Sequence, residues 1–215
     1  MEKYLREPVN GLTHLTGAIL SFIGLIALLV KAFLGNSSSL EVFSVFLFGV
    51  SMILLYSASA TYHSVISSKR VLYRLKKFDH SMIFVLIAGS YAPFCLIALN
   101  NNIGFILFGA VLISGLLGII FKLFWVTCPK WISSVMYIAI GWFALFAIYP
   151  LSKVLPGAAF FLLVLGGIFY TIGGVIYAFK DDRIKIGVFG THEIFHVFIM
   201  LGSLSHFIAV FAYVL

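Results

Sequence analysis

Runs of about twenty apolar residues recur along this chain, separated by polar breaks too short to hold a domain. A helix of that length matches the hydrocarbon thickness of a bilayer. This constrains the fold more than any motif does, because in hydrocarbon every backbone N–H and C=O must be paired inside the protein. Only helices and closed barrels meet that demand, and no ten-residue alternation supports a barrel. The expected fold is therefore all-α: a single seven-transmembrane helix bundle over residues 1–215, with spans near 12–33, 40–63, 79–99, 103–122, 132–149, 157–179 and 191–214. The breaks read G-N-S-S-S, S-S-K-R-V-L-Y-R-L-K-K, N-N-N, K-L-F-W-V-T-C-P-K, P-L-S-K-V-L-P and K-D-D-R-I-K-I-G-V-F-G. Connections this short make neighbouring helices antiparallel. The first span is too long for a signal-peptide core and no small-residue cleavage site follows it, so it reads as a retained helix.

Composition agrees. Hydrophobic residues form 62% of the chain and charged ones 10%, against roughly 45–50% and about 25% in soluble domains. The formal charge of +7 is read as loops facing anionic lipid rather than as a nucleic-acid surface. Lys3, Arg6, Lys69, Arg70, Arg74, Lys76, Lys77, Lys122, Lys130, Lys180, Arg183 and Lys185 fall on one side of the bundle, and only Lys31 and Lys153 on the other. The positive-inside rule places the N-terminus in the cytoplasm and the C-terminus outside. Cys95 and Cys128 lack metal-type spacing and suggest no disulfide framework. Gly166-Gly167 and Gly173-Gly174 read as packing positions, Pro93 as a kink in the third span and Pro156 as the opening of the sixth.

Ionisable residues inside a membrane mark function by default. His192 and His196 stand one turn apart at the start of the seventh span, on one helix face and about 6 Å apart in rise. His63 ends the second span, Asp79 and His80 begin the third, and His14 opens the first, all at the same depth. His206 lies ten residues beyond His196, about 15 Å deeper, too far to share an ion with it. Three imidazoles from His63, His192 and His196 with a fourth place for water form a catalytic type of Zn²⁺ site. Such an ion lowers the pKa of its water to about 7 and polarises a carbonyl oxygen. Asp79 is the expected proton acceptor, and Ser59, one turn before His63, is expected to orient water or substrate. The reaction implied is hydrolysis of a lipid amide or ester reached from the bilayer. H-E-I-F-H also matches H-E-x-x-H, in which Glu193 would be a general base, but the only downstream histidine is His206. His14 and His80, taken singly, fit amphipathic side chains at their preferred depth.

The segments E-P-V-N-G-L-T-H, S-A-S-A-T-Y-H, D-H-S-M-I-F, G-S-Y-A-P-F, G-T-H-E-I-F-H and G-S-L-S-H-F together resemble the hemolysin III family, the bacterial branch of the progestin and adipoQ receptor group. The resemblance covers essentially the whole chain. It implies a seven-helix bundle with its N-terminus inside, in the cytoplasmic membrane of a bacterium. It also implies one zinc near the cytoplasmic face held by His63, His192 and His196, with Ser59 and Asp79 beside it. Eukaryotic members are similar to ceramidases, and some act as receptors, which points to a membrane lipid as substrate or ligand and to membrane-lipid homeostasis. The family name implies the alternative, a lytic or pore-forming protein, and a receptor or sensor stapled by zinc without catalysis is a further one.

Overall fold

The structure, a computed structural model, describes residues 4–179, 187 and 190–215. Among these there is no strand, and seven helical stretches are long and apolar enough to cross a membrane. They are built from eight α-helices: α1 (Pro8–Leu34), α2 (Ser39–Ser64), α3 (Lys69–Pro93), α4 (Asn102–Phe124), α5 (Lys130–Gly141), α6 (Ile148–Val154), α7 (Gly157–Ala178) and α8 (Thr191–Ala209).

The helix starts follow local chemistry. Pro8 opens α1, where its missing N–H is no loss. Ser38 and Glu41 form a reciprocal capping box on α2: the Ser38 hydroxyl accepts from the Glu41 N–H at 3.3 Å and the Glu41 carboxylate from the Ser38 N–H at 2.6 Å. Asn101 Oδ1 caps α4 by accepting from the Gly104 N–H at 3.1 Å. Pro156 precedes α7 as its cap residue, where the sixth span was expected to open.

Three helix limits depart from the sequence expectation. α1 begins at Pro8 rather than 12. α3 begins at Lys69, not 79: the run K-R-V-L-Y-R-L-K-K, expected as a break, is helical and is capped by Ser68. Charge lowers hydropathy without lowering helix propensity, so Lys and Arg there mark the end of the apolar zone and not of the helix. The fifth span runs from Lys130 to Val154 and takes in P-L-S-K-V, with Pro150 in the first turn of α6, where a proline is tolerated.

Three spans depart from a continuous α-helix. Pro93 is the last residue of α3, and the chain widens into a π-turn over Phe94–Leu99 before Asn100 closes it at φ 40°. Between α5 and α6 the chain tightens into a 3₁₀ segment, Trp142–Ala147. A second π-turn, Val210–Val214, follows α8. α1 packs along α2, α2 along α3 and α7 along α8, while α8 also meets α1 and closes the ring. The closest approach is at Gly89 of α3, where a Cβ would strike the Ser51 side chain of α2 and come within 3.1 Å of the Leu47 carbonyl. Gly166, Gly173 and Gly174 of α7 lie against His206, Phe198 and Ile138, as packing positions should. Gly167 does not: nothing stands within 4 Å of its missing Cβ, because it lines an interior cavity of about 150 Å³.

Lys122 was expected in a loop. It lies inside α4 and is fully buried, with Nζ donating to the Ser133 hydroxyl at 2.5 Å and the Cys128 sulfur at 3.2 Å. Cys95 and Cys128 are both free. Lys3, Lys180, Arg183 and Lys185, four of the cations used for orientation, lie outside the described residues.

Candidate metal centre

α2 ends and α8 begins at the same end of the bundle, which brings His63 to His192 and His196. One ligand atom from each of the three lies within 4.8 Å of the others, so the set could hold a metal ion. His63 Nε2 and His192 Nε2 are 3.3 Å apart, and the ring centroids of His192 and His196 are 4.6 Å apart. His63 and His196 are 3% and 1% exposed, so water does not serve them as it would a surface histidine.

The donor set fits a cation. His63 Nδ1 donates to Glu7 Oε2 at 2.5 Å, which leaves Nε2 of that ring as the lone pair turned towards His192. His196 Nδ1 is buried with no hydrogen-bond partner. Three neutral imidazoles crowded with nitrogens facing nitrogens are poorly satisfied alone and well satisfied around one cation. Asp79 stands outside the three-ligand set. It is buried beside the Ser59 hydroxyl, and both line the cavity together with His14, His80, His192 and His196. The five residues expected at the site are thus gathered at one end of the bundle.

The structure adds a supporting layer that the sequence reading lacked. Glu7 precedes α1 and is clamped to the end of α2, since its N–H donates to the His63 carbonyl at 2.9 Å and the Arg6 N–H to the Ser64 carbonyl at 3.2 Å. Half-burial disfavours ionisation of Glu7, but the hydrogen bond from His63 and the nearby Arg6 guanidinium outweigh it and hold the carboxyl below its ordinary range. Asn10 bridges onwards, donating to Glu193 Oε1 at 2.8 Å. Glu193 Oε2 accepts from the Gly190 N–H at 2.9 Å and so caps α8. Both Glu193 carboxylate oxygens are engaged in this way, one with Asn10 and one with the start of α8. The signal for this layer was present in E-P-V-N, a carboxylate and an amide three residues apart at a helix start, but its partners lie far away in sequence.

The other two upper histidines differ from the amphipathic expectation. His14 is buried and stacks on His196, with centroids 3.6 Å apart and planes 11° apart, which fixes the plane of that ring. His80 is buried, and its carbonyl accepts from the Tyr137 hydroxyl at 3.2 Å. His206 stays apart from the cluster, lining the same cavity but deeper.

Fold and site together define a seven-helix membrane protein with a buried three-histidine centre at one end. The family model described as Haemolysin-III related matches residues 2–207. The Hemolysin-3 homolog of Bacillus subtilis (strain 168) is 40% identical over 207 residues, covering 96% of this chain and 93% of the relative. Hemolysin-3 of Bacillus cereus is 38% identical over 218 residues, covering 100% and 95%. Heptahelical transmembrane protein 1 of Arabidopsis thaliana is 29% identical over 234 residues, covering 94% of this chain and 68% of the relative. The chain belongs to the haemolysin-III family.

Proposed function

We propose that the chain is a zinc-dependent hydrolase of a lipid amide or ester in the bacterial cytoplasmic membrane, with its N-terminus and histidine centre at the cytoplasmic face. The observation that carries this reading is the three-histidine set, two of whose members, His192 and His196, line a cavity that Asp79 and Ser59 also line. His63, His192 and His196 would hold the ion. All-nitrogen ligation at three positions suits zinc with one place left for chemistry. A bound zinc supplies a Lewis acid and a water acidic enough to lose its proton near neutral pH. Asp79 would accept a proton from an attacking water and return it to the departing amine or alkoxide. Ser59, next to Asp79, holds the carboxylate in position. Glu7 keeps the His63 tautomer that leaves Nε2 free, the usual task of a carboxylate behind a metal-bound histidine. The apolar walls of the cavity, including Leu55, Ile87 and Ile199, suit an acyl chain.

Orientation rests on charge. With buried Lys122 withdrawn, seven Lys and Arg among the described residues (Arg6, Lys69, Arg70, Arg74, Lys76, Lys77 and Lys130) stand at the histidine end and two, Lys31 and Lys153, at the other, which supports the cytoplasmic assignment. Purified protein should carry about one zinc per chain and release fatty acid from a lipid amide or ester. Metal-free protein, or metal at full occupancy in His196→Ala, refutes the centre.

The names of the two Bacillus relatives favour a second reading, a lytic membrane protein. Leakage of dye from liposomes that persists in Asp79→Asn, with no hydrolysis in either protein, selects it.

A further inference from the structure

His206 sits on α8 ten residues beyond His196, about 15 Å further along the helix. It lines the same cavity as His192 and His196 and is 7% exposed. The edge of its ring carrying Nε2 and Cδ2 is turned to α7: Nε2 donates to the Leu163 carbonyl at 3.1 Å, and both atoms press against Gly166. Phe94 and Tyr170 flank the ring edge-on at 5.6 and 5.4 Å. Nδ1, on the opposite edge, is buried and has no hydrogen-bond partner.

The other side-chain nitrogen and oxygen groups lining this deep end are paired within the protein. The Ser90 hydroxyl donates to the Ile87 carbonyl at 2.8 Å, Tyr91 to the Gly141 carbonyl at 2.6 Å and Thr171 to the Gly167 carbonyl at 2.7 Å. Tyr170 meets the Ser203 hydroxyl at 2.9 Å. His206 Nδ1 is therefore the exception, and its chemistry is fixed. A carbonyl can only accept, so Nε2 carries the proton and Nδ1 presents a lone pair. Whatever satisfies it must donate. Gly166 and Gly167 make room for this: the first lets His206 sit against α7, and the second leaves the cavity wall open.

We infer that His206 is an anchor for a hydroxyl group carried far along the acyl chain of the cavity's occupant, so that the site takes hydroxylated long-chain lipids in preference to plain ones. The cavity would then read its ligand at two points, the head at the histidine centre and the hydroxyl at Nδ1, with apolar walls between. With carbon–carbon bonds of about 1.5 Å in zigzag, an extended chain of roughly a dozen carbons covers that distance. The inference rests on the proposed reading only in taking a lipid chain as occupant. It concerns binding, so it stands or falls apart from catalysis.

The test uses the purified full-length chain in detergent and three probes: octadecanoic acid, the same acid hydroxylated at its twelfth carbon, and the methyl ether of that hydroxyl. The hydroxy acid should bind about tenfold more tightly than the plain acid, the gain expected when a buried acceptor finds its donor. The ether, which accepts but cannot donate, should lose the gain in the wild-type chain. In His206→Leu the hydroxy and plain acids should bind equally. Equal affinities in the wild-type chain, an ether that binds like the alcohol, or a gain that survives His206→Leu overturns the anchor. If the plain acid binds and only the preference is missing, the anchor alone is lost. If neither acid binds, the lipid occupant of the proposed function falls and the anchor with it. The ether comparison needs no folded variant.

Discussion

Two buried polar clusters lie at the same end of this bundle, and they are built on opposite plans. Lys122, Cys128 and Ser133 close on themselves: the ammonium donates to the hydroxyl and the sulfur, and those two lie 3.4 Å apart. Tyr137 and Phe121 offer ring faces to the same ammonium, each 5.8 Å away. His63, His192 and His196 do the reverse, bringing ring nitrogens within 4.8 Å of one another with a carboxylate holding one ring from behind. Burial makes an unpaired polar atom costly in either place. A cluster that satisfies itself is a staple between α4 and the start of α5. One that crowds imidazole nitrogens together and leaves His196 Nδ1 without a partner is suited to a cation.

The sharpest way to break this contrast is to remove one member of each. His196→Ala should take bound metal from about one per chain to near zero by elemental analysis, while Lys122→Met should leave it unchanged; equal losses in both would erase the distinction. Asp79→Asn comes next: hydrolysis of a lipid amide or ester should fall by about 10²–10⁴-fold with zinc content intact, because this carboxylate lies outside the three-ligand set. Loss of the metal along with the activity would instead make Asp79 a ligand. Glu7→Ala should weaken zinc affinity by about 10–100-fold in a chelator competition, and an unchanged affinity would strip Glu7 of its supporting role. The smallest effect belongs to the staple. Lys122→Met should alter unfolding free energy by no more than about 1–2 kcal/mol in either direction, since a buried ion replaced by an apolar chain of similar length is often neutral. The Ser133 hydroxyl keeps Cys128 as a neighbour.

The centre itself was readable from residue types alone, because a bilayer leaves few reasons for six histidines to sit within or beside apolar runs. Depth follows from position along each span, and shared depth gathered His14, His63, His80, His192, His196 and Asp79 while setting His206 apart. What surrounds them was not readable. Asn10 and Glu193 are 183 residues apart in sequence, and Glu7 and His63 are 56 apart, so no local pattern joins them. Stacking of His14 on His196 depends on the rotation of α1 against α8, which depth does not specify. Helix limits failed where charge was taken as a stop. The cationic opening of α3 and the buried Lys122 show the same error from two sides, since a lysine can extend a helix into water or be drawn inside when its nitrogen finds partners.

The bonds from Glu7 to His63 and from Asn10 to Glu193 carry a consequence for how the molecule is made. Residues that emerge early from the ribosome reach their last neighbours only when α8 has been inserted. Until then Glu193, His192 and His196 are absent, and the second helix carries an imidazole waiting for companions. The three-histidine cluster therefore waits for the final helix, and a nascent chain halted before it lacks two of the three candidate ligands, however complete its first six crossings are.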